Sequence, residues 1–281
     1  MTDTIAVFNQ PNLNGSGVGS SSDENANLLS IIQNEIDNGV DYAIDDTIVN
    51  FTDTSNLSAR LAAASFFFMT DMESENPSDA SFLPNGAKDI LRDFVNDGGT
   101  MVMTATGGSY DVDFLNEIFD LNLTNVSASI ASRTAQPSVA GSPFEDNSDP
   151  LPDVSANDAI DASAITNGGY LSFYGTEEAS SVGGIKYGGG SIFYMGHDYF
   201  DTGYANDWGA GPHVNGSQNT TPWVTEILPD VLNMAAIGFD INIPSEPEPE
   251  PVVEQSNDFL FWLAVLSVGI VGLGAIDSDI A

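Results

Sequence analysis

The chain contains no cysteine among its 281 residues. This absence excludes disulfide bonds, thiolate metal sites and a cysteine nucleophile. Stability must therefore come from a packed core, and a hydrophobic fraction of 42% is sufficient to build one. The length predicts one large domain, or one domain with an appendage.

Positive charge is also scarce. The sequence has 5 Lys and Arg against 41 Asp and Glu, which gives a formal net charge of −36. Nucleic acids and anionic lipids require a basic surface, so this composition excludes nucleic acid as a partner. It favours attraction of cations, and it predicts self-repulsion that weakens the fold at low ionic strength.

The N-terminal sequence also does not match a cleavable secretory signal. The N-terminus reads MTDTIAVFNQPNLNG, with neither a basic region nor an apolar region of the required length. We expect a first strand to begin almost at once.

Strand-like and helix-like segments alternate in the first half. Short apolar runs predict strands, and apolar residues at helical spacing predict helices between them. This alternation predicts an α/β fold with a mostly parallel, flavodoxin-like sheet in a three-layer sandwich. The predicted strands are 4–8, 40–44, 65–70 and 100–106, and the predicted helices are 23–37, 56–64, 85–99 and 111–121.

The second half is less regular. Residues 132–163 are rich in Pro, Ser and Asp without a clear period, and we expect an irregular acidic insertion at the surface. Glycine-linked strands are predicted at 170–175, 183–190 and 191–196, and a closing helix at 222–239.

The main domain is expected to span residues 1–243. Residues 244–258 form a Pro-Glu linker, and 259–276 are eighteen residues without a charge, followed by an acidic tail at 277–281. An apolar helix is predicted at 259–276 that enters a membrane, acts as an export signal or assembles copies of the chain. This layout predicts an extracellular or cell-surface protein.

Polar side chains follow several of the predicted strands. The carboxyl ends of parallel strands meet at one edge of a sheet, where ligands bind. Carboxylates with one imidazole are a possible set of ligands for a divalent metal, and a solvated loop rim is the alternative. The candidate metal ligands are Asp71, Glu73, His197, Asp198 and Asp201.

A second candidate cation site lies in the acidic insertion. The stretch FEDNSDPLPDVSANDAID offers flexible oxygen ligands of the kind that calcium accepts, although it does not match an EF-hand loop. Its candidate ligands are Glu145, Asp146, Asp149 and Asp153.

The stretches LRDFVNDGGTMVMTATGG (91–108) and GGGSIFYMGHDYF (188–200), with the final helix, resemble the class I glutamine amidotransferase-like superfamily. The similarity is strongest to its trehalose-utilisation-type branch and related uncharacterised domains, and it covers roughly residues 4–240. The resemblance implies a cysteine on the turn after strand 100–106, a histidine that matches His197, and a glutamate two residues later. Here the turn reads Thr104 to Gly108 without cysteine, and Tyr199 stands in the place of the glutamate.

The missing triad members favour a non-catalytic secreted or cell-surface protein, structural or binding, on a degenerate amidotransferase-like domain. His197 would then have nothing to activate, and its replacement by Ala would leave stability nearly unchanged. One alternative is a sugar-directed hydrolase or isomerase that uses His197 and Asp198 as acid and base. Another is a tail-anchored cytoplasmic protein.

Carbohydrate is a candidate partner, because aromatic and amide side chains alternate in 206–223. Trp208, His213 and Trp223 are the aromatic residues of this stretch, and loop packing is the alternative. Other expected partners are a membrane or a second copy of the chain through 259–276.

Overall fold

A computed structural model of the chain describes residues 3–10, 24–39, 41–72, 76–106, 108–154, 157–165, 169–199, 214–215 and 218–237. Several predictions lie outside these described residues: those for Glu73, Asp201, Trp208, His213 and the segments 244–258, 259–276 and 277–281.

Within the described residues, nine strands form one mixed sheet and two more form a small hairpin. The sheet contains β1 (Asp3–Phe8), β2 (Tyr42–Ile48), β3 (Phe66–Met69), β4 (Thr100–Thr104), β5 (Thr124–Ser127), β6 (Asp158–Asp161), β7 (Tyr170–Gly175), β8 (Ala179–Tyr187) and β9 (Gly190–Met195). The hairpin pairs β10 (Val214–Asn215) with β11 (Gln218–Asn219).

The helices flank this sheet. The described α-helices are α1 (Glu24–Asp37), α2 (Thr54–Leu61), α3 (Asn85–Asn96), α4 (Tyr110–Phe119) and α5 (Leu228–Ile237), which continues a π-helical turn at Trp223–Ile227.

The parallel part of the sheet confirms the predicted α/β architecture. Its strand order is β2-β1-β3-β4-β9, and all four pairings are parallel. This is the flavodoxin-like order, in which β2 is added on one side of β1 and the later strands are added on the other side, while all strands keep the same direction. The sequences FFFM of β3 and TMVMT of β4 are buried throughout, as expected for strands covered on both faces.

The remaining strands extend the sheet in an antiparallel sense. They follow in the order β9-β8-β6-β5, and β7 also pairs with β8. The sequence predicts that 132–163 is irregular throughout. This is wrong for its last part, because β6 lies within it. Burial of Ala159 and Ile160 explains why this short segment joins the sheet. Upstream, three 3-10 helices occupy Ala131–Arg133, Pro137–Val139 and Pro143–Asp146.

Two hydrophobic clusters cover the two faces of the sheet and make three layers. One packs α2, α3 and α4 through residues such as Leu57, Leu91 and Leu115. The other packs α1 and α5 through residues such as Ile31 and Val231.

The glycine run 188–190, which leads into β9, is required by close packing against the end of α3. A side chain on Gly190 would collide with the carbonyl oxygens of Gly99 and Val95 at the end of α3. Only glycine lets the backbone approach so closely. The start of β9 is thereby fixed against the α3–β4 connection.

None of the helices in the described part of the chain is long and apolar enough to cross a membrane. The apolar segment 259–276 lies outside that part, so its role stays a prediction.

Candidate functional site

The carboxyl ends of the parallel strands gather buried polar residues, as the sequence predicts. Asp71 follows β3, Thr104 ends β4, and His197 with Asp198 follows β9. All four residues are at most 5% exposed. These four side chains are therefore shielded from solvent.

The predicted metal ligands do not assemble within the described residues. No group of three or more Asp, Glu or His side chains there is close enough to hold a metal ion. The candidates Asp71, His197 and Asp198 therefore form no such group by themselves, and the divalent-cation site stays a prediction.

His197 is packed among aromatic rings. Its side chain is 0% exposed, and its ring centroid lies 4.8 Å from that of Tyr199 and 5.5 Å from that of Trp223. The indole Nε1 of Trp223 donates to the carbonyl oxygen of Pro152 at 3.2 Å. Trp223 is itself fully buried, so it belongs to the core and is unavailable for stacking on a sugar. His197 is part of this core cluster.

Tyr199 occupies the position where the resemblance implies a glutamate, and its backbone is unusual. Its φ of 67° lies in the left-handed region, which a bulky residue rarely adopts. Its hydroxyl donates to the carbonyl oxygen of Trp223 at 3.3 Å, and its own carbonyl accepts from the Asn27 amide at 3.2 Å. Packing on all sides holds this strained residue in place.

The turn after β4 carries no paired nucleophile and base in its described residues. The Oγ1 of Thr106 accepts from the backbone N–H of Asp111 at 3.0 Å. Ser109 is exposed, and its hydroxyl donates to the Asp113 carboxylate at 3.1 Å. Because Ser109 contacts a carboxylate one helical turn away and no imidazole, it is not activated as in a serine triad.

Sequence reasoning missed the most strongly perturbed carboxyl of this region, Asp111 in the first turn of α4. It is fully buried, accepts from the Tyr194 hydroxyl at 2.9 Å and accepts from the Val112 N–H at 2.7 Å. Burial raises the pKa of Asp111 to about 7, although both of these hydrogen bonds favour the charged form. One signal was present: Tyr194 lies within the apolar run IFYM, and a buried tyrosine hydroxyl needs a partner.

Asp158 at the start of β6 lies beside Asp111. Burial raises its pKa as well, and its charge further raises the pKa of Asp111. The Asn125 amide of β5 donates to Asp158 at 3.2 Å and to the Gly108 carbonyl oxygen at 2.7 Å. The backbone N–H of Asp158 donates to the Gly196 carbonyl oxygen at 2.9 Å. This group of side chains therefore joins β5, β6, β9 and α4.

The second predicted cation site consists of four carboxylates of the insertion: Glu145, Asp146, Asp149 and Asp153. Three of them make separate local contacts. The N–H of Gly141 donates to Glu145 at 3.0 Å, the N–H of Ala135 donates to Asp149 at 2.9 Å, and Arg133 pairs with Asp153 at 3.6 Å. These three side chains stabilise local loop structure, and calcium binding by the four carboxylates stays a prediction.

No family model and no curated protein sequence matches this chain. Solved structures similar to it include a ThuA-like protein from Bacteroides uniformis, at 9% identity over 82% of this chain and 90% of the other, with a TM-score of 0.48. A ThuA-like protein from Parabacteroides merdae shares 12% identity over 84% of this chain and 90% of the other, with a TM-score of 0.41. The exo-β-1,4-mannosidase Op5Man5 from Opitutaceae bacterium strain TAV5 shares 10% identity over 85% of this chain, with a TM-score of 0.41. This chain spans 37% of the length of that mannosidase. At these values the likeness carries no information on activity.

Proposed function

We propose that this chain is a non-catalytic binding or structural protein on a degenerate amidotransferase-like domain. The observation that carries the proposal is the burial of His197 at 0% exposure against Tyr199 and Trp223. A general base must reach the proton that it removes, directly or through one water. An imidazole held inside an aromatic cluster supports the core instead.

The turn after β4 supports the same proposal. An amidotransferase requires a nucleophile there that a neighbouring base activates. Thr104 is fully buried, and Ser109 contacts Asp113. Neither arrangement supplies an activated oxygen.

The negative surface charge restricts the kinds of molecule that the protein can bind. All five basic side chains are already engaged: four form ion pairs, and Lys186 donates to the carbonyl oxygen of Gly189. A surface of this kind repels polyanions, so a neutral or cationic partner such as carbohydrate or a basic protein fits it. Display at the cell surface through 244–258 and 259–276 is part of this proposal and rests on the sequence alone.

Assays on the purified full chain test the absence of catalysis. We expect no ammonia release from glutamine above background in the wild type, in His197→Gln or in Ser109→Ala. A wild-type rate that His197→Gln or Ser109→Ala abolishes, with far-UV circular dichroism unchanged, contradicts the proposal. Fractionation of cells with the intact chain and with a chain truncated after Glu254 tests the surface location. Equal distribution of the two forms contradicts it.

One observation favours a second candidate function, a hydrolase or isomerase that acts on sugars. General acid–base catalysis works best with a group whose pKa lies near the working pH, and the pKa of Asp111 is raised to about 7. Asp111 is as fully buried as His197, so this alternative also requires an opening of the structure that brings the Asp111 carboxyl to a substrate. Turnover of aryl glycosides with an inflection near neutral pH that disappears in Asp111→Asn supports this alternative, and a flat background rate excludes it for those substrates.

A further inference from the structure

The hairpin formed by β5 and β6 lies at the edge of the sheet. β6 pairs with β8 at two positions, Ile160 with Ser180 and Asp161 with Ala179, and β5 is the edge strand beyond it. Further contacts also hold the hairpin: Ala159 and Ile160 are buried, the backbone N–H of Asp158 donates to the Gly196 carbonyl oxygen at 2.9 Å, and the Asn125 amide donates to the Gly108 carbonyl oxygen at 2.7 Å. A short edge element of this kind is expected to open before the buried parallel strands do.

One fully buried carboxyl, that of Asp111, lies next to this hairpin. The Asp111 carboxylate of α4 accepts from the Tyr194 hydroxyl of β9 at 2.9 Å, and the Asp158 carboxylate of β6 accepts from the Asn125 amide of β5 at 3.2 Å. The negative charge of Asp158 raises the pKa of Asp111. The titratable groups that face Asp111 are thus Asp158 and Tyr194, and Asp198, just after β9, faces Tyr194 in turn. Every group in this set is neutral or negative, so ionisation of Asp111 places like charges on both sides of the hairpin junction.

We propose that this cluster is a pH-sensitive latch, which holds the β5–β6 hairpin on α4 and β9 while Asp111 carries a proton and loosens it when Asp111 is ionised. The latch does not depend on whether the protein is catalytic, and the hairpin is the element that responds to pH.

The direction of the response follows from the raised pKa. In the closed hairpin the pKa of Asp111 is about 7, and in the open hairpin the carboxyl meets water and returns toward its ordinary value of 3.8. Between these two values, opening releases one proton to solvent. The closed state is therefore favoured most at low pH, loses its advantage as pH rises through the window and stays at its weaker level above about pH 7.

Hydrogen exchange on the intact chain measures this opening. We expect protection factors in 124–127 and 158–161, corrected for intrinsic exchange, to fall about tenfold or more between about pH 5.5 and about pH 8.5. Protection in β3 should stay constant. In Asp111→Asn, which keeps the shape of the carboxyl but cannot ionise, protection of the hairpin should not change with pH.

Asp113→Asn is the matched control, since it removes one charge two residues further along α4. We expect it to respond to pH as the wild type does. An unchanged pH response in Asp111→Asn overturns the proposal. A parallel loss of protection in β3 and the hairpin also overturns it, because the effect is then on the whole fold.

Two further variants separate the latch from a purely structural contact by the direction of their shift. Tyr194→Phe removes a hydrogen bond that favours charged Asp111, so the midpoint of the transition should move to higher pH. Asp158→Asn removes a neighbouring negative charge, so the midpoint should move to lower pH. A midpoint that both variants move in the same direction, or that neither moves, contradicts the latch.

Discussion

At the scale of single residues, the histidine that the family resemblance would make catalytic is packed against other side chains of the protein. His197 lies inside an aromatic cluster, and Tyr199 holds a left-handed backbone beside it. From the sequence, His197 could be located at the end of a strand but not assigned an environment. Its neighbour Trp223 comes from a distant helix, and no periodicity in the sequence brings the two together.

This burial reverses the expectation that His197 is dispensable. We predict that His197→Ala lowers the free energy of unfolding by about 2 kcal/mol, because it leaves a cavity between two rings. Urea unfolding measures the loss, and Ser109→Ala in the exposed turn should change stability by less than about 0.5 kcal/mol. Equal stability of His197→Ala and the wild type contradicts the packing described here.

Asp111 gives a second prediction at this scale. Because its pKa is raised to about 7 in the folded state, its contribution to stability is complete below about pH 3.8 and falls as pH rises to about 7. The upper limit of this loss is about 4 kcal/mol. We therefore expect Asp111→Asn to be more stable than the wild type at about pH 8, and the difference to shrink at about pH 4. A constant difference between the two proteins at all pH values excludes this account.

At the scale of elements, continuous apolar segments of the sequence predicted strands most reliably. SFFFMT and TMVMTAT predicted β3 and β4 within two residues at each end, since continuous apolar segments are typical of strands covered on both faces. TNVS gave no such signal, yet it forms β5. Its residues are half-buried or exposed, and pairing with β6 decides its conformation. Strands of this kind depend on tertiary contacts and cannot be found from local pattern.

The glycines of two elements should respond to substitution in opposite directions. Gly190→Ala forces a methyl group onto the carbonyl oxygens of Gly99 and Val95, and we expect a loss of about 2 kcal/mol or more. Gly86→Ala in α3 meets an ordinary contact with the Thr54 methyl group at 3.6 Å, and it should gain about 0.5 kcal/mol from helix propensity. Thermal unfolding of both variants tests this pair, and a neutral Gly190→Ala is inconsistent with the close approach.

At the scale of the whole molecule, negative charge dominates. The net charge of −36 was evident from composition, whereas its distribution was not. The structure adds that four of the five basic side chains are committed to ion pairs with Asp45, Glu117, Asp89 and Asp153. Most of the negative charge of the molecule thus has no basic partner within the chain.

We predict that stability rises with ionic strength. The Debye length falls from about 10 Å at 0.1 M salt to about 3 Å at 1 M, so repulsion between surface carboxylates is progressively screened. The melting temperature should increase by several degrees over this range, and equally in NaCl and KCl. A melting temperature that does not change with salt contradicts this reading, and a rise that only a divalent ion produces points to the predicted cation sites instead.

The measurement that tests the central claim most directly is the chemical accessibility of His197 in the native full chain. Diethyl pyrocarbonate modifies exposed imidazoles, and mass spectrometry of the peptide that contains GHDYF locates the modification. We predict that His197 stays unmodified in the native protein and is modified in full after unfolding in urea. Rapid modification of His197 in the native protein, with circular dichroism unchanged, would show a presented imidazole and contradict the claim that this residue belongs to the core.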